Sequence, residues 1–73
     1  MITQDFHGWT VEEALAEVHR VVGDVRMEET ACTAEFITGH GVIQNAIMDE
    51  LVLMGLSPSI QLSNSGVVTV VIE

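Results

Sequence analysis

The fold of this 73-residue chain is decided by one stretch near its start, ITQDFHGWTVEE at residues 2–13. The pattern over residues 2–6 predicts a short first strand, which ends at Gly8. Thr10 and Glu13 then have the spacing of a capping box, in which the threonine hydroxyl accepts from the Glu13 amide and the glutamate reaches back. The stretch therefore predicts a strand, a turn and the first turn of a helix.

Apolar residues continue from this cap at helical spacing. They form one stripe of Val11, Ala14, Leu15, Val18, Val21, Val22 and Val25, which is typical of a helix that packs against a core. Acidic residues near the start of this helix are also favourable to its dipole. Trp9 precedes the cap, where its ring can pack against the first turn.

The rest of the chain predicts a second strand, a second helix and a final pair of strands. A Gly39-His40-Gly41 segment separates the second strand from the second helix, and Gly55 with Pro58 supplies a stop for that helix. The expected elements are strand 31–38, helix 42–54, strand 60–62 and strand 67–72. The order β-α-β-α-β-β predicts a single α/β domain over residues 1–73, an α+β two-layer sandwich with two helices on a four-stranded mixed sheet.

Composition narrows the class of protein. Apolar residues make up 48% of the chain, too many for an intrinsically disordered segment. No apolar run reaches the roughly 18 residues of a membrane-spanning helix, and the first residues lack the features of a signal peptide. The single cysteine, Cys32, excludes an internal disulfide. Stability from packing alone fits a reducing cytoplasm, so we expect a cytoplasmic protein without a membrane partner.

The charge balance is the most unusual property of the sequence. Eleven acidic residues stand against two arginines and no lysine, which gives a net charge of −9. Proteins usually bind nucleic acid by neutralising phosphates with Lys and Arg, and a chain of this sign repels phosphate at long range. Composition alone therefore disfavours a nucleic-acid partner.

Two short polar motifs occupy equivalent places, each after a strand and before a helix. They are Asp5-Phe6-His7-Gly8 and Thr38-Gly39-His40-Gly41. If the first two strands are parallel neighbours, as a β-α-β connection favours, both motifs emerge at the same edge of the sheet. We therefore expect Asp5, His7 and His40 to converge beside two helix N-termini, where anions bind readily. A histidine beside a carboxylate is sufficient for general acid–base catalysis at neutral pH.

Each signal also has a simpler interpretation. Asp5 alone is typical of a solvated carboxylate at a strand end, and a Gly-His-Gly segment is typical of a turn. Cys32 is expected to be a small core residue and His19 to face solvent. The histidines and the cysteine lack the spacing of zinc-ligand pairs, so no zinc site is expected.

The two motifs also carry a family resemblance. Asp5-Phe6-His7-Gly8 with Thr10-Val11-Glu12-Glu13-Ala14 resembles the Asp-Leu-His-Gly and Thr-x-x-Glu-Ala segments that open the Smr (small MutS-related) domain. Residues 37–41 are similar to the glycine loop of that family, and residues 66–72 are similar to its closing Gly-x-Thr-x-Val strand. The resemblance covers the chain from about residue 5 to its end.

The resemblance implies a two-layer fold like the C-terminal domain of bacterial translation initiation factor three. It also implies DNA or RNA binding, and several members are nicking or RNA-cleaving endonucleases. Asp5 and His7 match the Asp-x-His motif of the family, while Gly39 and Gly41 match its glycine loop. His7 or His40 would then handle the proton of a water or leaving oxygen, and Asp5 would orient a histidine or hold a metal ion.

In the same interpretation, the amides of Thr38, Gly39 and Gly41 would bind phosphate. The sequence identifies no cofactor, and a divalent metal is the candidate. The chain departs from the family in one respect that bears on binding. Members usually carry Lys or Arg within or just after the glycine loop, where this chain has His40 and Gln44.

Two functions follow from these observations. The first is a stand-alone Smr-like domain that binds nucleic acid or a phosphate-bearing ligand, with weak endonuclease activity. The second is a non-catalytic interaction module whose acidic surface binds a basic protein partner, including as a nucleic-acid mimic. The motif pair favours the first function, whereas the charge favours the second.

Apolar residues left over after one core is filled lead us to expect a homodimer. Val67, Thr69 and Val71 face away from the other side chains of the final strand, on a sheet face that should be polar if it is open. Met48 and Val52 likewise face away from the expected inward stripe of the second helix. A small domain gains proportionately from burying such surface in a dimer.

Overall fold

Two helices pack on a four-stranded mixed sheet in the computed structural model, which describes all 73 residues and confirms the predicted fold class. The elements are β1 (Ile2–Asp5), α1 (Val11–Glu28), β2 (Cys32–Ile37), α2 (Val42–Leu53), β3 (Ser59–Ile60) and β4 (Val67–Ile72). The strand order is β1-β2-β4-β3. β1 is parallel to β2, and β4 is antiparallel to both β2 and β3.

Helix α1 begins with the predicted capping box. The Glu13 amide donates to the Thr10 hydroxyl at 3.1 Å, and the Thr10 amide donates to the Glu13 carboxylate at 2.9 Å. Two of the amides that a helix start leaves without partners are therefore satisfied locally. This explains why the sequence alone locates the start of α1.

Helix α2 ends through a glycine at positive φ. Gly55 has a φ of 82°, its amide donates to the Val52 carbonyl, and the Leu56 amide donates to the Leu51 carbonyl, both at 3.0 Å. This is the Schellman pattern, in which two apolar side chains flank the glycine. Leu51 and Leu56 are both buried. The helix ends at Leu53, one residue before the predicted boundary.

The core lies between the helices and the helix-facing side of the sheet. Its largest fully buried side chains are Phe6, Phe36, Ile47, Leu51, Ile72, Val18 and Val68. The ring of Trp9 meets that of Phe6 edge-on at a centroid distance of 5.1 Å. Met48, which was expected to face away, is half-buried and packs against this core. Val52 is exposed, as predicted.

The other face of the sheet is more polar than β4 alone suggested. Across the strands, Thr3 lies opposite Glu35, which in turn lies opposite Thr69. Val71 is 52% exposed on this face, but Val67 is only 6% exposed. The polar residues come from the neighbouring strands, which the pattern within one strand does not show. The homodimer stays a prediction, with a smaller apolar surface than expected.

The C-terminal hairpin differs from the prediction in its first strand. β3 covers Ser59 and Ile60 rather than residues 60–62, and the Leu62 side chain is fully exposed. The Gln61 amide still donates to the Val67 carbonyl at 2.9 Å. The chain then leaves the sheet over residues 62–66, the hairpin connection, before β4 begins. Neither helix has the length and apolarity needed to cross a membrane.

The capping box gives a test of local stability. Thr10→Ala removes the hydroxyl acceptor at the start of α1, so we expect the free energy of unfolding to fall by about 1 kcal/mol in urea denaturation. Ser57→Ala is the matched control, because Ser57 is exposed and its hydroxyl makes no hydrogen bond within the protein. We expect that control to change stability by less than about 0.5 kcal/mol. Equal effects of both substitutions would contradict the role of the cap.

Candidate functional site

Two loops, one after β1 and one after β2, meet at the same edge of the sheet. The Phe6 amide donates to the Ile37 carbonyl at 2.9 Å, which extends the parallel pairing beyond the last residue of β1. Asp5, His7, Ile37, Thr38 and Gly39 line a cleft of about 340 Å³. We call this the loop cleft. Residues from both predicted motifs therefore lie together.

The first loop is shaped by the carboxylate of Asp5. Its Oδ1 atom accepts from the backbone amide of His7 at 2.9 Å, and the Trp9 amide closes the turn on the Phe6 carbonyl at 3.0 Å. Gly8 has a φ of 80°, as the third position of a type II turn requires. Asp5 thus holds the turn that presents His7, whose side chain is exposed. The other carboxylate oxygen of Asp5, Oδ2, has no hydrogen-bond partner within the protein.

The glycine loop is tied to the C-terminal hairpin by one carbonyl group. The amides of Thr38 and Gly39 both donate to the Gly66 carbonyl, at 2.9 and 3.0 Å. The Thr38 hydroxyl donates to the Gly39 carbonyl at 2.8 Å. These two amides, which we expected to bind phosphate, are already engaged within the protein. Donors for a phosphate therefore lie further along, at Gly41 and in the first turn of α2.

The start of α2 differs from the start of α1. Gly41 is its N-cap residue with a φ of 115°, no side chain caps the helix, and its first turn contains no acidic residue. In α1, by contrast, Thr10 caps the helix and Glu12 and Glu13 lie in the first turn. The amides at the start of α2 are thus open to an anion, and no carboxylate on that turn neutralises the helix dipole.

His40 does not line the loop cleft. Its Nε2 atom lies 2.7 Å from the Ser65 hydroxyl, and the Gln44 side chain donates to the Ser65 carbonyl at 2.7 Å. The structure thus brings Asp5 and His7 together with Thr38 and Gly39, while His40 contacts the hairpin connection. His40 is therefore not among the residues that line the cleft with Asp5 and His7, and its hydrogen-bond partner comes from the hairpin, which is remote in sequence.

The residues that sequence reasoning missed belong to this hairpin connection. Gly66 is buried and approaches Gly39 closely, and Ser65 hydrogen-bonds to both His40 and Gln44. Their sequence signals are the Asn64-Ser65-Gly66 turn and, for Gly66, the similarity of residues 66–72 to the closing strand of the Smr domain, and neither indicates a contact with the glycine loop. The Asn64 side chain accepts from the Gly66 amide at 3.1 Å, which shapes that turn.

Both arginines lie elsewhere and are engaged. Arg20 donates to the carboxylates of Glu17 and Asp24 at 2.7–2.9 Å. Arg26 donates to the carbonyls of Met54 and Glu73 at 2.8 and 3.1 Å. The loop cleft therefore has no arginine to hold a phosphate. Nor do any three His, Cys, Asp or Glu side chains form a group that could hold a metal ion.

Comparisons with protein-family models, curated proteins and solved structures found no match for this chain. The resemblance to the Smr domain thus depends on the motifs quoted above. The structure adds to those motifs that Asp5, His7, Thr38 and Gly39 share one cleft. It also shows that the Gly66 carbonyl holds the glycine loop by accepting from the amides of Thr38 and Gly39.

The contact between Gly66 and the glycine loop can be tested by adding one methyl group. A Cβ on Gly66 would lie 3.3 Å from the Gly39 Cα and 3.4 Å from the Asn64 side-chain oxygen. We expect Gly66→Ala to displace the loop, shift the amide NMR signals of Thr38 and Gly39, and cost roughly 1 kcal/mol of stability.

Gly23→Ala is the matched control, because a Cβ at Gly23 meets nothing within 4 Å. It lies inside α1, where alanine should raise stability by roughly 0.5–1 kcal/mol. Unchanged Thr38 and Gly39 signals in Gly66→Ala would contradict the support that we assign to Gly66.

Arg20 gives a prediction for the pH dependence of α1. Its hydrogen bonds lower the pKa of Glu17 below the usual glutamate value. Because the folded-state pKa is the lower one, this stabilisation is present above the unfolded-state pKa and is lost as pH falls through the folded-state pKa. Carboxyl NMR titration of Glu17 should show the lowered pKa, and Arg20→Ala should return it towards the usual value.

Arg26→Ala serves as the control for this titration, since Arg26 donates its hydrogen bonds to main-chain oxygens and none to Glu17. It should leave the Glu17 titration unchanged. If Arg20→Ala has no more effect than this control, the hydrogen bonds to Glu17 do not form in solution.

Proposed function

We propose that the chain is an Smr-like domain that binds a phosphate-bearing ligand, such as a DNA or RNA strand, at the loop cleft. The observation that carries this proposal is the meeting of the two motifs. Asp5 and His7 from the first motif line one cleft with Thr38 and Gly39 from the second. Parallel pairing of β1 and β2 produces this arrangement.

The phosphate is assigned to the amides at the start of α2. Gly41 and the first turn of that helix offer backbone donors without a side-chain cap or a nearby acidic residue in the turn. A helix N-terminus of this kind favours an anion through its amides and its dipole. This matters in a chain of net charge −9, because few other places on it favour a phosphate.

His7 is the group that we assign to proton transfer. Its imidazole is exposed at the cleft, on a turn that the Asp5 carboxylate holds in place. In weak phosphodiester hydrolysis, neutral His7 would take the proton of the attacking water as its oxygen bonds to phosphorus. The bond from phosphorus to the leaving oxygen then breaks, and solvent protonates that oxygen. His40, engaged with Ser65, is assigned to positioning the glycine loop rather than to chemistry.

Binding can be tested by titrating the ¹⁵N-labelled protein with short single strands of RNA and of DNA at low salt. We expect amide shifts at His7 and at the start of α2, and weaker binding as salt rises. His7→Ala and Asp5→Ala should each weaken binding at least about tenfold, since one removes the ring and the other the turn that presents it. Any strand cleavage should disappear with the same substitutions.

His19→Ala is the matched control, because His19 is an exposed histidine on α1, bound to Glu50 rather than near the cleft. It should leave binding and cleavage unchanged. If the unaltered protein neither binds nor cleaves at low salt, the proposal fails. Activity that survives both His7→Ala and Asp5→Ala would place it outside the loop cleft.

A second function, an acidic module that binds a basic protein partner, is favoured by a different observation. The two arginines are both engaged within the protein, so the eleven acidic residues dominate its surface. Such a surface steers basic proteins towards it and repels nucleic acid. A nucleic-acid mimic, which occupies the basic groove of its partner, is one form of this function.

A further inference from the structure

β1 is an edge of the sheet with unpaired backbone groups. It pairs with β2 on one side only. The Phe6 amide points towards β2, so by the alternation of a strand the amides and carbonyls of Thr3 and Asp5 point away from the sheet. The Gln4 side chain reaches the Asp5 carbonyl at 3.1 Å, consistent with that direction. Neither proline nor lysine protects this edge.

A groove runs along α1 beside this edge, and its smaller cavity lies between α1 and Ile2 of β1. It consists of two cavities of about 340 and 480 Å³ that share Arg20. The first is lined by apolar side chains from both elements, including Ile2 on β1 and Val21 on α1. The second extends towards Trp9. We call the two cavities together the β1–α1 groove.

The wall of the β1–α1 groove is acidic. Four carboxylates line it, from Glu13, Glu17, Asp24 and Glu28, against the single guanidinium of Arg20. Arg20 donates to Glu17 and Asp24 at 2.7–2.9 Å, which shows that the wall already holds one basic side chain. These five groups carry a net charge of −3, which favours a basic partner.

We propose that the β1–α1 groove binds an extended basic peptide segment, which adds to the sheet as a strand beside β1. The outward groups of Thr3 and the Asp5 amide would pair with its backbone, and Ile2 would contact the aliphatic stems of the Arg or Lys side chains on its groove-facing side, whose charged ends would bind the acidic wall. This inference goes beyond phosphate binding and gives the acidic-module function a surface and an occupant.

A second copy of the chain fits the groove less well than a basic peptide. It would bring the same four carboxylates and the same net charge of −9 to the contact. Like charges placed together in this way oppose association. Charge complementarity therefore selects a basic segment from another protein.

The test uses an octapeptide of alternating arginine and valine as the probe, added to the ¹⁵N-labelled protein. We expect amide shifts on β1 and slower hydrogen exchange of the Thr3 amide. The same octapeptide with every backbone amide N-methylated should bind at least tenfold more weakly, because it keeps the charge but has no amide to donate to the edge. A glutamate–valine octapeptide should not bind.

Variants of the protein distinguish the contribution of strand pairing at β1 from the contribution of the acidic charges. Thr3→Pro removes the outward amide, which an edge strand tolerates, and should weaken binding at least tenfold relative to the control Thr3→Val. Glu17→Gln with Asp24→Asn should also weaken binding. Arg20→Gln should strengthen it severalfold, because it frees both carboxylates from a competing guanidinium.

Three results would overturn the inference. They are equal binding of the methylated and unmethylated peptides, amide shifts confined to α2 or to the loop cleft, and a mass in sedimentation of about twice 7.9 kDa with β1 protected before peptide is added. The last result would assign the edge to a second copy. None of the substituted residues lines the loop cleft. A negative result for peptide binding at the β1–α1 groove is therefore distinguishable from a negative result for phosphate binding.

Discussion

The parallel pairing of β1 with β2 is the constraint on which the rest of the structure depends. It places Asp5 opposite Ile37, so the chain leaves both strands at the same edge and the two polar motifs meet. The same pairing requires a crossover, which α1 supplies by packing its valine stripe against the sheet. It also leaves β1 at the outside of the sheet. The loop cleft and the β1–α1 groove are thus two consequences of one pairing.

Charge constrains what each of these sites can bind. With two arginines against eleven acidic residues, the protein has no free guanidinium to offer a phosphate. The phosphate binding that we propose at the loop cleft therefore relies on backbone amides and on His7. A basic partner meets no such difficulty, since the acidic wall beside β1 already holds Arg20.

The glycine loop shows how structural and functional demands compete for the same backbone groups. Thr38 and Gly39 use their amides to hold the hairpin through the carbonyl of Gly66. This leaves Gly41 and the first turn of α2 as donors and fixes where they point. His40 strengthens the same contact through Ser65. A loop that is anchored in this way is preorganised, which reduces the entropy lost when a ligand binds.

The sequence by itself determined the elements whose signals are local. The capping box at Thr10 and Glu13, the stripe of apolar residues in α1 and the glycine after α2 specify backbone geometry within a few residues, so the order of elements and the fold class could be predicted. The meeting of Asp5 and His7 with the glycine loop was also predictable, because a β-α-β connection favours parallel neighbours.

Only the tertiary structure decided the contacts made between segments distant in sequence. The hairpin connection takes up the amides of Thr38 and Gly39 and the ring of His40, and the neighbouring strands make the open face of the sheet more polar than β4. Periodicity describes which face of an element is apolar, but the partner of each polar group depends on how the elements pack. That is why the sequence located the edge where a site could form, while the structure decided which groups remain free there.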